Sequence, residues 1–121
     1  MDKTSRNKEL IRTFILQYAQ LLQSPPPPSM TFNTSSSLDI FPVLDDERGQ
    51  YLLLEMGWRE DEFKRYLPIH VRLHNDKIWI EEDMTEDGIA TWLLEKGVAH
   101  DEIVLGFQPP EMRPFTEFSV A

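Results

Sequence analysis

From Arg65 to Asp83 apolar and polar residues alternate, RYLPIHVRLHNDKIWIEED. Successive strand side chains point to opposite faces, so the pattern predicts a hairpin with one apolar side. Leu67, Ile69, Val71 and Leu73 fall on that side, and Tyr66, Pro68, His70, Arg72 and His74 on the other. Asn75-Asp76 is the turn, which sets Leu73 opposite Ile78, Val71 opposite Ile80, Arg72 opposite Trp79 and His70 opposite Glu81. Two earlier runs, Leu38–Leu44 and Gln50–Trp58, read as further strands joined by Asp45–Gly49. In the second run Leu52, Leu54, Met56 and Trp58 form one face, yet Tyr51 and Leu53 make the other too apolar to be fully wet. Both faces are expected to be at least partly covered, as at the centre of a four-stranded antiparallel meander. Arg59–Lys64 is the charged connection into the hairpin.

Helical spacing brackets these strands. Ile11, Phe14, Ile15, Tyr18 and Leu22 recur at intervals of three and four, predicting a helix over 4–23 with Thr4 or Ser5 as its cap and its stripe on the hairpin's apolar side. A second helix is expected over 85–96, with Thr85 as N-cap and Met84 stapled against Ile89. Gly97 ends it in a Schellman arrangement with Val98 against Leu93. Ile89, Trp92 and Leu93 then supply its apolar face, Trp92 reading as core.

Between the first helix and the strands, Ser24–Ser37 carries the run Pro25–Pro28, which cannot continue a helix and reads as a Pro/Ser-rich linker. After the second helix, residues 98–121 hold a short apolar segment, Ile103-Val104-Leu105, and a tail in which Phe115, Phe118 and Val120 stay apolar. Such a tail frays unless it is docked on its own domain or on another chain. The expected architecture is one α+β domain over 1–121, with a sheet over 38–83 between the two helices.

Composition narrows the function. The 121 residues carry a net charge of −9, which repels a phosphate backbone unless the basic residues cluster. The densest basic group, Lys3, Arg6, Lys8 and Arg12, sits where the wet side of a helix accounts for it, so direct nucleic-acid binding by the chain alone is not expected. There is no cysteine, hence no disulfide, thiolate nucleophile or zinc-thiolate site. No apolar run is long enough to cross a bilayer and no secretory segment is evident, which points to the cytoplasm and away from membranes.

Candidate chemistry is sparse. His70 and His74 would lie ~13 Å apart along a strand, too far for one metal ion. His70 with Glu81 is the one local acid/base pair, and a cross-strand pair on a half-exposed face explains it more simply than catalysis. No phosphate-cradling glycine loop or metalloprotease motif is present. The sequence therefore predicts no catalytic residue, no metal and no cofactor. It marks a contact surface instead: Tyr66, His70, Arg72, Trp79, Glu81, Arg113, Phe115 and Phe118 are more aromatic than a polar sheet face needs.

Gly57-Trp58, KIWI at Lys77–Ile80, TEDGIA at Thr85–Ala90, DEIVLGF at Asp101–Phe107 and RPFTEFSVA at Arg113–Ala121 form an ordered series. In these blocks the chain resembles the XisI family, the fdxN element excision controlling factors, over roughly Leu38 to Ala121. It departs from the family at Asn75-Asp76, where Asp-Gly is usual, and at Pro25–Pro28, which looks like an insertion; both are turn or linker positions. The resemblance implies an accessory role in programmed DNA recombination in cyanobacteria, during heterocyst differentiation. Its partners would be a XisH-like protein of nuclease-type fold and a site-specific recombinase; apart from the resemblance, the aromatic face and the tail make a homo-dimer a further option. An acidic chain without an active site would act through protein contacts. The alternative is an acidic inhibitor, DNA-mimicking or antitoxin-like, of the XisH-like partner.

Overall fold

The computed structural model describes residues 2–23 and 38–121, so the Ser24–Ser37 linker expectation lies outside the described residues. Helix α1 spans Lys3–Gln23. The strands are β1 (Asp39–Asp45), β2 (Gln50–Arg59), β3 (Glu62–His74) and β4 (Lys77–Asp83), followed by helix α2 (Ile89–Glu95) and strand β5 (Ile103–Leu105). The sheet order is β1-β2-β3-β4-β5. The first four strands form the expected antiparallel meander. The fifth corrects the predicted count: α2 carries the chain back, and Ile103–Leu105 pairs parallel to β4. Three apolar residues are too few to show a period, so only the crossover through α2 reveals them as a strand.

The hairpin register follows the alternation near the turn. Leu73 faces Ile78, Val71 faces Ile80 and Arg72 faces Trp79. Asn75 and Asp76 have φ of 54° and 63°, the left-handed pair that a tight hairpin turn requires and that Asn and Asp tolerate. Two bulges then shift the faces. Leu53 pairs with Ile69 and Glu55 with Tyr66, so Leu54 is opposed by two residues, Leu67 and Pro68. A proline fits there because a bulge spares the strand one ladder donor. The second bulge leaves Glu81 as the extra residue, since Val71 pairs with Ile80 but His70 pairs with Glu82.

Both helices cover the same side. Tyr51, Leu53, Ile69, Val71, Ile78, Ile80 and Ile103 form one buried cluster with Ile11 and Ile15 of α1 and Ile89 and Leu93 of α2. The Phe14 ring meets Trp92 edge-on at 5.2 Å, joining the two helices. Of the two faces of β2, the one with Tyr51 and Leu53 is therefore the core, and the Leu52–Leu54 face is only half-buried. The predicted connection Arg59–Lys64 is in fact a tight turn at Glu60-Asp61, with β2 and β3 extended on either side.

Helix ends are the least legible elements. The Asp2 carboxylate, rather than Thr4 or Ser5, caps α1 by accepting the Ser5 amide at 2.7 Å, and this bond holds its pKa below the usual range. Helix α2 starts four residues later than the expected Thr85, because Gly88 takes φ 88° and breaks the helical path. Asp83 does the capping from the end of β4: one oxygen accepts the Thr85 amide and hydroxyl, the other accepts the Ile89 amide at 2.8 Å. Met84 is exposed and does not staple to Ile89. The C-terminus matches expectation: the Val98 amide donates to the Leu93 carbonyl and Gly97 has φ 95°.

One buried carboxylate ties the two ends of the fold. Glu102 accepts Arg6 at 2.9 Å and the Ala99 amide at 3.3 Å, with Lys3 at 3.1 Å. Burial pushes its pKa up, but the Lys3, Ala99 and Arg6 interactions outweigh burial and leave it below the usual value. A depressed carboxylate contributes stability above its unfolded pKa and loses it as pH falls through the folded one. Glu102→Gln is therefore expected to cost about 1–2 kcal/mol at pH 7 and to flatten the stability loss below pH ~4.5. Thermal melts at pH 7 and about pH 3 test this, and an unchanged acid slope in the variant would contradict it.

Candidate protein-contact surface

Opposite the helices, the sheet has two unlike halves. Over β4 and β5 the C-terminal segment lies across the strands. Arg113 places its guanidinium 5.3 Å from the centre of the Trp79 ring and donates to the carbonyl of Gln108. Arg72 lies 4.8 Å from the same ring, as the cross-strand pairing predicts. The indole N–H donates to the His74 carbonyl at 3.2 Å. Trp79 is thus the fastener between the sheet and the tail, with two cations against its ring. Val104, its neighbour on β5, is fully buried yet stands outside the helix-side cluster, and it bridges to Ser119 of the tail.

Further along, the Ser119 amide donates to the Ile103 carbonyl and Lys77 reaches the Ser119 hydroxyl and the Ala121 carbonyl. Phe118 turns onto the core side and stacks on His100 at 5.5 Å. Between these anchors, the 3-10 turn Pro110–Phe115 holds Phe115 out with 83% of its surface exposed.

The eight candidate residues therefore do not form one patch. His70, Arg72 and Trp79 share the open side with Arg113. Tyr66 does not: the bulge at Leu67-Pro68 pairs it with Glu55 and moves it to the helix side of the sheet, 40% exposed. Phe118 packs against the protein's own core. The expected His70–Glu81 pair is absent, because the second bulge puts Glu82 opposite His70. The imidazole Nε2 instead lies 2.8 Å from Gln50 Oε1. Glu81 sits 4.0 Å from Arg72, with its Oε1 shielded from solvent and without a hydrogen-bond partner among the described residues. Gly106 makes room for it, since a Cβ there would lie 2.0 Å from Oε1.

Sequence reasoning misses the other half of this side. Phe41, Val43, Trp58 and Phe63 are all substantially exposed. Trp58 and Phe63 pair across β2 and β3, ring edge to ring face at 5.6 Å, and Arg65 lies over Phe63. Their signal is the Leu52–Trp58 alternation, which taken alone has the look of a covered face.

On the helix side, a hollow of about 490 Å³ opens between α1 and α2, lined by Phe14, Tyr18 and Trp92 and edged by Glu86, Asp87 and Glu95. Burial pushes the Tyr18 hydroxyl pKa up, and Glu55, Asp83 and Glu86 add to the rise. Among the described residues, no group of three or more His, Asp or Glu is placed to hold a metal ion, and no helix is long and apolar enough to cross a membrane.

Two helices on one side of a five-stranded sheet, and a Trp-fastened tail presenting a bare phenylalanine on the other, define a small two-layer α+β protein. The chain belongs to the XisI family: the family model described as XisI protein matches residues 1–120. It is similar to the crystal structure of fdxN element excision controlling factor XisI from Anabaena variabilis ATCC 29413, at 32% identity and a TM-score of 0.84, over 99% of this chain and 100% of that one. A XisI-like protein from the same organism is 26% identical, with a TM-score of 0.81 over 98% and 99% of the two chains. No curated protein gives a significant match.

Proposed function

We propose that this chain is a non-enzymatic, cytoplasmic accessory factor controlling the excision of a DNA element, and that it works through contacts with a XisH-like partner and a site-specific recombinase. The observation that carries this reading is Phe115. A large aromatic side chain 83% exposed, on a turn pinned at Trp79 on one side and at Ile103 and Lys77 on the other, needs little further ordering when a partner binds. The similarity to an excision controlling factor supplies the process. The net charge of −9 supports leaving DNA contact to the partners.

Co-expression with the XisH-like protein tests the reading. Phe115→Ala is expected to weaken the complex about tenfold or more while leaving the melting temperature unchanged, as for an interface anchor of ~2 kcal/mol. Unaltered affinity would remove the support. Acid residues around the α1–α2 hollow favour the inhibitory alternative, in which the chain mimics DNA before a basic cleft. That version requires a complex that falls apart steeply with added salt.

A further inference from the structure

Beyond the tail, the sheet side away from the helices carries β1, β2 and the first half of β3, and among the described residues nothing covers it. Phe41 is 43% exposed, Val43 39%, Trp58 68% and Phe63 45%, with Leu52, Leu54 and Met56 half-buried between them. The exposed area of the first four side chains is on the order of 400 Å², already near the largest patch a soluble monomer ordinarily shows. With the half-buried leucines and the polar margin, the face approaches the ~800 Å² that each member of a stable complex contributes.

The register of the strands places charge on this face in a self-complementary way. Asp39, Met56 and Arg65 form one row across β1, β2 and β3; Val43, Leu52 and His70 form another. The acid of the first row stands on the edge strand and the base on β3. A second copy turned by half a rotation about a line along β2, and stacked face to face, puts each β1 over the other's β3. Asp39 of each copy then faces Arg65 of the other, Phe41 lies over the Leu67-Pro68 bulge, and the two Trp58 rings meet beside the axis. The tail over β4 and β5 stands as a wall against which the second copy's β1 edge abuts. Among the row residues, Glu82 opposite His70 is the further acid facing inward, while Asp45 is occupied by Arg48. Stacking of two sheets with roughly aligned strands is a standard way to bury such faces. An isologous pair of this kind closes on itself and stops at two.

We propose that two copies of this chain pair through the outer face of β1–β3 about a two-fold axis along β2, with Asp39 and Arg65 as reciprocal partners. The proposal does not rest on the XisH-like contact, which uses Phe115.

Sedimentation of the purified chain at near-physiological salt is the test. The expected result is a dimer at micromolar concentration that Phe41→Glu converts to a monomer with unchanged far-UV circular dichroism. Asp39→Arg and Arg65→Asp are each expected to weaken the dimer about fivefold, and the double variant to restore it to within about twofold. A chain that stays monomeric up to about 0.1 mM, well above the working range of a standard-size interface, overturns the proposal. So does a dimer indifferent to Phe41→Glu, or a double variant no tighter than the singles. If Phe41→Glu instead abolishes capture by the XisH-like partner while the wild-type chain is monomeric, the face belongs to that partner and the dimer is rejected.

Discussion

Leu53→Ala is expected to lower the unfolding free energy by about 3 kcal/mol, while Leu52→Ala, one residue away, costs less than about 1. The two leucines have the same chemistry and lie on one strand, so the difference isolates burial. Leu53 has no exposed surface, pairs with Ile69 and belongs to the cluster under α1. Truncating it removes transfer energy and leaves a cavity that Ile11 and Ile15, fixed in their helix, cannot fill by relaxing. Leu52 is half-exposed opposite His70 on the open side, where water enters the space left behind. Urea and thermal melts of both variants decide the comparison, the first variant lowering the melting temperature by roughly 10 °C for a chain of this size. Equal costs would mean that the helices do not select the Tyr51–Leu53 face.

Trp79→Ala is expected to cost about 2–3 kcal/mol and, unlike any other single truncation on the open side, to release the tail. The substitution removes the ring beneath Arg72 and Arg113, the donor to the His74 carbonyl, and the neighbour that helps keep Val104 dry. With Arg113 no longer seated, the turn carrying Phe115 loses its first anchor. Limited proteolysis should then cut within Pro110–Phe115, and the proposed complex with a XisH-like protein should weaken as much as in Phe115→Ala. Arg113→Ala gives the control: it removes one cation–π contact and the hydrogen bond to the Gln108 carbonyl but leaves the ring in place, costs about 1 kcal/mol and releases the same segment only in part. A tail still protected in Trp79→Ala would assign its anchoring to Ile103, Lys77 and Phe118 alone.

Both predictions turn on features that stand at different removes from the sequence. The hairpin from Arg65 is readable because its period of two runs for several residues on each side of an Asn-Asp turn. The face positions of Arg72 and Trp79, and hence half of the fastener, follow from it. Helix α1 is readable for the same reason at the other period, and the Schellman end of α2 because Gly97 and Val98 are local signals. What escapes are places where a distant group decides a local question. Asp83, six residues upstream, holds the Ile89 amide while Gly88 takes a positive φ, so α2 begins after Gly88 rather than at Thr85. Ile103–Leu105 becomes a strand only because β4 offers it an edge.

The candidate contact residues divide in the same way. The inventory of aromatic and basic residues is in the sequence, but their grouping is not. A bulge adds a single residue to one strand and inverts every face beyond it, so Tyr66 leaves the side that His70 occupies and Glu81 loses its place opposite His70. The sequence by itself determined the class of fold, the hairpin and its turn, the acidic balance and the family. Tertiary structure alone decided which side of β2 is core, which half of the open side the tail covers, and that Phe115 is left bare while Phe118 packs half-buried against the core. The reason is physical: periodicity is set by neighbours a few residues away, whereas burial and register are set by whichever distant element arrives to cover them.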